Sequence, residues 1–347
     1  MRTILLTSTD PCFNLAAEEY FLQNGGDDIR MLWRNSRSVI IGKNQNTWAE
    51  VNVPYTEREG IAVVRRLSGG GAVFHDLGNV NYTFITAYEE GGGIDFARFT
   101  APILRVLHRL GVPAELGGRN DILADGRKIS GNAQAVVRRP DGSARQLHHG
   151  AILFGADLTS LTEALIVHPE KIRTKGIASV RSRVMNIRDF PDFPKDVDVE
   201  AFMRLLAEEI GEGEPIGMLT AAEEDAIRTL AEEKYRTWEW NFGASARHET
   251  ELTARFPYGT LTASYTAAHG VIGEIRLYGD YFGTAPIAEL ESCFAGVPIV
   301  REKLLAAIGR APRSIGEYIA GGESEDIAAL ILGEKEYNNV ENGESHG

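Results

Sequence analysis

Residues 65–76, RRLSGGGAVFHD, set three consecutive glycines between two arginines and an apolar run. The chain is β-patterned on both sides: Ile61-Ala62-Val63-Val64 leads in, and Val73-Phe74 and then Asn81-Tyr82-Thr83-Phe84-Ile85-Thr86 lead out. Glycine gives up more conformational freedom on folding than any other residue, so a run of it in a patterned segment marks a tight turn or a close approach to the backbone. Taken alone, the run fits a surface turn equally well, and its neighbours decide. The two familiar phosphate loops open a helix: the Walker loop needs Gly-Lys-Ser/Thr, and the dinucleotide fingerprint needs GxGxxG before a helical pattern. Neither is present. A strand–glycine–strand loop would instead hold a phosphate in a concavity of backbone N–H groups, without a following helix.

Working outward, residues 10–25 predict a short helix with a polar start and glycines at its end. Residues 30–33 and 38–41 predict strands, and the chain near Pro54 a brief helix. Asp95 is the expected N-cap of an amphipathic helix that stops at Gly111. Further helices are expected at 157–166, 198–210 and 220–234. They follow the strands rather than alternating with them, which predicts an α+β fold over a doubly wound sheet. From Glu249 onward, three strand-like runs (251–256, 259–266, 271–278) precede helical segments at 287–294, 301–308 and 326–332. The expected organisation is a large domain over 1–245, a small α+β accessory domain over 246–333 and a polar, disordered tail over 334–347.

The formal net charge of −13 over 347 residues argues against a general nucleic-acid binder, which would show a basic surplus. The two cysteines, Cys12 and Cys293, stand far apart with no CxxC pair or histidine cluster. That predicts neither a disulfide framework nor a zinc site, and fits a reducing cytoplasm. The N-terminal apolar run is too short for a signal peptide or a membrane span.

A second informative stretch is residues 118–133, GRNDILADGRKISGNA. Asp125-Gly126 is a strong hairpin turn signal. A regular hairpin sets 124 against 127, 123 against 128 and 121 against 130. Asp121, Leu123, Lys128 and Ser130 would then share one face, with Asp121 diagonal to Lys128 at roughly 7 Å. Such a pair on an exposed hairpin is commonly a weak solvated one, but Gly131 beside it leaves room for a ligand against the backbone. Attack of a carboxylate on the α-phosphate of ATP needs backbone donors, fixed cations and usually Mg²⁺ held by a carboxylate. The triple glycine, Arg66, Lys128 and Asp121 supply that inventory.

Several stretches, in order, resemble the lipoate-protein ligase family: FNLAAEEY, LWRN, VIIGKNQN, RRLSGGGAVFHDLGNVNYTF, GRNDI, RKISGNAQ, HHG, KGIASVRSRV and WEWNFG. The resemblance spans nearly the whole chain. It implies a mixed-sheet catalytic domain of the biotin/lipoate ligase type, followed by a small accessory domain. It also implies ATP-dependent activation of lipoate to lipoyl-adenylate and transfer to a lysine of carrier domains, the E2 subunits of 2-oxoacid dehydrogenases and the glycine cleavage H protein. Carried over by residue, Arg66 and the backbone of Gly71, Ala72, Val73 and Phe74 would hold ATP and the adenylate. Lys128 matches the family's essential lysine, between acyl carbonyl and phosphate. Asp121 would serve Mg²⁺ or the adenylate. Ser68, Gly69, Gly70 and Gly71, with His75 and Gly131, would line the lipoyl pocket, and Trp33 would close its far end. Lys175 belongs to a loop, 175–183, matched to one that folds over the adenylate.

Three rival readings stay open. An octanoyl transferase of the same fold needs a thiolate nucleophile, and neither cysteine falls near RKISGNAQ or HHG. A non-catalytic lipoyl-binding relative would have little reason to keep Arg66, Asp121 and Lys128. A biotin ligase fits RRLSGGGAVFH less well. His75, His148 and His149 are read as structural histidines before general bases, and Trp238 and Trp240 as packing at the domain junction.

Overall fold

The computed structural model describes residues 1–24, 26–89, 92–118, 120–166, 184–243 and 250–334. Lys175, the 175–183 loop and the tail from 335 onward lie outside the described residues. The chain divides into two compact units, Met1–Ser245 and Ala246–Gly347.

In the first unit the strands are β1 (Arg2–Leu5), β2 (Ile29–Trp33), β3 (Ser38–Ile41), β4 (Ala62–Arg65), β5 (Val73–His75), β6 (Asn79–Ala87), β7 (Ala114–Gly117), β8 (Asp121–Ala124), β9 (Arg127–Arg138), β10 (Ala144–Leu153) and β11 (Ile216–Gly217). Eight of them form one mixed sheet in the order β11-β1-β2-β6-β10-β9-β8-β7, and β4-β3-β5 form a second. The glycine run thus joins β4 and β5 of the small sheet, strand to strand, as its flanks predict.

Both faces of the large sheet are covered, and β6 divides its side chains between them: Val80, Tyr82 and Phe84 face one side, while the equally buried Asn79, Asn81 and Thr83 face the other. Leu32, Val80, Tyr82 and Phe84 pack against Ile103, Val106 and Leu107 of the helix Phe96–Arg109 and against Phe202 and Leu206 of the helix Val199–Gly211. On the other face Met31, Trp33 and Ile85 meet Leu15, Ala16 and Phe21 of the helix Pro11–Asn24. Ile40 and Val64 of the small sheet join that second cluster. Val39, Ile41 and Phe74, which point the opposite way, build a separate core with Tyr55. The helix signals hold: the Asp95 side chain accepts from Arg98 N, and Gly111 takes the left-handed φ of +75° just past the helix end.

The second unit is an antiparallel meander of β12 (Thr250–Phe256), β13 (Gly259–Ala268) and β14 (Val271–Gly279). Helices Arg301–Ile308 and Ser324–Ile331 bury Leu304, Ala307, Ile327 and Leu330 against Leu261, Ala263 and Leu277. Among the described residues, no helix is long and apolar enough to cross a membrane.

Candidate active site

A cleft lies between the large sheet and the glycine loop. Mouth included, it holds about 630 Å³, within the usual range of small-molecule sites. Its floor includes one row across four strands: Gly131 pairs with Ala151, Ala151 with Asn81, and Asn81 with Trp33. Three inter-strand gaps make that row about 14 Å long, and all four residues line the cleft. Leu15, Ile40 and Val73 add apolar wall, and the turn through Gly70, Gly71 and Ala72 closes over it.

Lys128 stands at the Gly131 end. The hairpin turn forms as expected, with Asp125 at φ +50° and Gly126 at +71°, the signs a type I′ turn requires. Ala124 then pairs with Arg127 and Leu123 with Lys128, but the register slips, so that Ile122 meets Ser130 and Asp121 meets Gly131. The extra residue, Ile129, is a β-bulge. A bulge re-aims side chains, and this one turns Ser130 to the buried face while setting Lys128 on the same face as Gly131. Lys128 Nζ lies 2.8 Å from Asp121 Oδ1. A Cβ on Gly131 would fall 2.9 Å from that Nζ, so the glycine makes room for the ammonium.

The glycine loop is built from inside. Gly70 has φ +92°, a conformation that side chains resist. A Cβ on Gly42 would sit 2.0 Å from Gly70 O, whereas one on Gly71 would meet no protein atom within 4 Å. Gly42 thus permits the loop to close, and Gly71 leaves the cleft open. Arg66 Nη2 donates to the carbonyls of Gly69 (2.6 Å) and Gly71 (2.9 Å), Nη1 to Ile40 O (3.1 Å) and Nε to Ser68 Oγ (3.0 Å). These partners are neutral, so the guanidinium keeps its positive charge available at the cleft. Burial lowers its pKa only to about 10, which leaves it protonated at neutral pH.

A buried polar chain runs beneath the cleft. Ser68 Oγ lies 2.7 Å from His149 Nε2, and His149 Nδ1 lies 3.0 Å from both Glu18 oxygens. Thr83 Oγ1 donates to Glu18 (2.6 Å) and accepts from Trp33 Nε1 (2.9 Å). The indole at one end and Arg66 at the other are therefore held by one hydrogen-bonded path.

The family model of the lipoyl protein ligase A/B catalytic domain matches residues 10–211. The chain belongs to this family. A second model, the bacterial lipoate protein ligase C-terminus, matches residues 245–331. The ligase is 41% identical over 329 residues to lipoate-protein ligase LplJ of Bacillus subtilis, a match covering 93% of this chain and 97% of that one. It is similar to the crystal structure of a lipoate-protein ligase A bound with ATP, at 32% identity and TM-score 0.59 over 70% of this chain and 98% of that one. It is also similar to an archaeal structure from Thermoplasma acidophilum, described as a bi-partite lipoate protein ligase and its E2 lipoyl domain. That match has 32% identity and TM-score 0.60 over 72% of this chain and 98% of that one.

Of the ligase residues singled out from sequence, Trp33, Arg66, Gly70, Gly71, Ala72, Val73, His75, Lys128 and Gly131 line the cleft. Three expectations change. Ser68 does not line it: fully buried, its hydroxyl is engaged by Arg66 and His149 behind the wall. Gly69 is likewise not among the lining residues, and its carbonyl accepts from Arg66. The Phe74 side chain points into the core beyond the small sheet, which leaves the expectation for its backbone as it stood. Ser130 leaves the Lys128 face because of the bulge. Asp121 is a single carboxylate already paired with Lys128, and among the described residues no three His, Cys, Asp or Glu gather to hold a metal. A single carboxylate is not by itself a metal site, and fits only an Mg²⁺ that arrives on the nucleotide phosphates.

Glu18 and Asn81 escaped the sequence reading as site residues, while His149, read there as structural before general base, stands in the cleft lining. The role of the WEWNFG stretch escaped it as well. Asn241 Oδ1 accepts from Arg65 N (2.8 Å), its carbonyl accepts from Thr47 Oγ1 (2.6 Å), and Trp240 Nε1 donates to Arg65 O (2.8 Å). Trp240 is therefore hydrogen-bonded within the first unit. Neither cysteine lines the cleft: Cys12 is buried, with its thiol pushed up to about 11, and Cys293 lies in the second unit.

Proposed function

We propose that this lipoate-protein ligase carries out both half-reactions in the cleft over the Gly131–Trp33 row. In the first, a lipoate carboxylate oxygen attacks the α-phosphorus of ATP and pyrophosphate leaves, giving lipoyl-adenylate. In the second, the ε-amine of a carrier-domain lysine attacks the acyl carbonyl and AMP leaves, giving an amide. The observation that carries the reading is Lys128, whose ammonium is held by Asp121 at the open end of an acyl-length cleft. A fixed cation there stabilises the oxyanions that develop in both steps. Asp121 is a positioning residue, and Arg66 supplies the second positive charge while holding the glycine loop around the phosphate.

The match to a ligase bound with ATP supports the nucleotide assignment, and the match to a ligase with its E2 lipoyl domain supports the carrier class. Mg²⁺ is counted with the nucleotide, as part of the substrate. Two unpaired cysteines suit a cytoplasmic setting. Lys175 would belong to the adenylate site by the family resemblance.

The test is mass spectrometry of a purified lipoyl domain after incubation with the enzyme, lipoate and Mg-ATP. One lysine should gain a lipoyl mass, with AMP and pyrophosphate released. A Cys12→Ser, Cys293→Ser variant should do the same, since no thiolate lies at the cleft. Octanoyl transfer from an acyl carrier protein without ATP, lost in that variant, would replace this reading with the transferase.

A further inference from the structure

Two donors that line the cleft are left bare. His75 is 4% exposed and Asn81 1%, and neither His75 Nε2 nor Asn81 Nδ2 meets a hydrogen-bond partner among the described residues. Both belong to its Trp33 end. Asn81 sits directly opposite Trp33 across β2 and β6, and the His75 ring packs edge-on to the indole with centroids 6.3 Å apart.

The His75 tautomer is dictated by its neighbours. Asn14 Nδ2 lies 3.0 Å from the carbonyls of Ser8 and Arg34, which only an amide NH₂ can serve, and 3.0 Å from Asn35 Oδ1, a place where a second NH₂ would stand donor against donor. Asn35 must then turn its own NH₂ toward His75 Nδ1, 3.2 Å away. Nδ1 accepts, so the ring proton resides on Nε2. Burial, with Arg66 and His149 nearby, keeps the ring neutral by lowering its pKa to about 3. Nε2–H is a fixed donor.

A buried donor with no acceptor carries an uncompensated desolvation cost, so a ligand that supplies an acceptor gains over one that does not. With the carboxyl end at Lys128, the substrate presents its tail here. An alkyl tail offers no lone pair, whereas divalent sulfur is a weak acceptor. We propose that His75 Nε2–H and Asn81 Nδ2–H form a sulfur-recognising subsite that makes the ligase prefer an acyl tail ending in a dithiolane over an alkyl tail of equal length. The inference rests on the two-step ligase reading and adds the residues that set its specificity. A site with committed donors rejects the analogue lacking the acceptor because those donors stay unpaired.

The test compares kcat/KM for lipoate and octanoate in ATP-dependent ligation to a lipoyl domain, in the wild type and in His75→Phe and Asn81→Leu. The wild type should favour lipoate by about tenfold or more, and each substitution should shrink that ratio severalfold. Ligation of octanoate by a variant certifies its fold. A ratio unchanged in both variants, or a wild type without preference, overturns the subsite and leaves the ligase reading intact. Failure to ligate either acid in the wild type would overturn the parent reading instead. Should both variants fail to fold, ¹⁵N NMR of the wild-type His75 ring decides: the Nε2–H signal should move on binding lipoate and not octanoate, and equal responses reject the proposal.

Discussion

At the residue scale, the cleft depends on atoms that are missing as much as on those present. On the proposed mechanism Lys128→Ala removes the cation from both steps, and should lower kcat for adenylate formation and for transfer from added lipoyl-adenylate by about 10²–10³. Wild-type rates in either assay would exclude that role. Gly131→Ala is the subtler probe. Its new Cβ would lie 2.9 Å from Lys128 Nζ, and because the lysine end is flexible the ammonium moves rather than the fold. Misplacement on the ångström scale can cost about a hundredfold in rate, so activity should fall by about tenfold or more while urea-unfolding stability stays within about 1 kcal/mol. Gly42→Ala should behave differently. There the clash is with the Gly70 carbonyl at 2.0 Å, backbone against backbone, and both stability and rate should drop. Equal stability losses in the two alanine variants would contradict this division.

At the element scale, what could be seen in one dimension was what is local. The Asp125-Gly126 turn, the Asp95 cap and the strand–glycine–strand order each depend on a few adjacent residues, and each formed as expected. The β9–β10 hairpin did not stand out, because Ser130, Asn132, Gln134, His148 and His149 are buried polar residues that break the apolar alternation. The bulge at Ile129 is invisible to a period-two reading, which assumes one residue opposite one. Glu18 and His149 find each other across 131 positions, and Asn81 acquires meaning only once the sheet sets it against Trp33. The Asn241 latch belongs to the same non-local class. Asn241→Ala would strip the acceptor from Arg65 N and leave Tyr235 O with only the weak Cys12 thiol donor at 3.5 Å, at about 1–3 kcal/mol for a buried group that loses its partner. Because Arg65 adjoins Arg66, adenylate formation should slow as well. Trp238→Ala, at a ring 59% exposed, should change stability by no more than about 0.5 kcal/mol. A larger loss at Trp238 than at Asn241 in urea unfolding would refute the latch.

At the scale of the whole molecule, the division of labour follows from where the chemistry sits. The cleft described above is lined by residues between Leu15 and Ala151 of the first unit, and the second unit buries its own core over Ala254–Ile331. The two half-reactions make opposite demands. Activation must keep water from a reactive mixed anhydride, whereas transfer must admit the lysine of a protein. The second unit, which builds a core of its own, is therefore expected to play a conformational part rather than a chemical one. A chain ending at residue 246 should therefore remain folded, since the first unit keeps its three core clusters. It should lose most adenylate formation from lipoate and ATP, yet transfer lipoate to a carrier domain when supplied with preformed lipoyl-adenylate. Circular dichroism and urea unfolding establish the fold, and pyrophosphate release and carrier mass separate the two activities. A folded, shortened chain that forms adenylate at the full-length rate would show that activation needs only the first unit. Loss of transfer from preformed adenylate in a folded chain would show that the second unit supplies chemistry that the cleft residues lack.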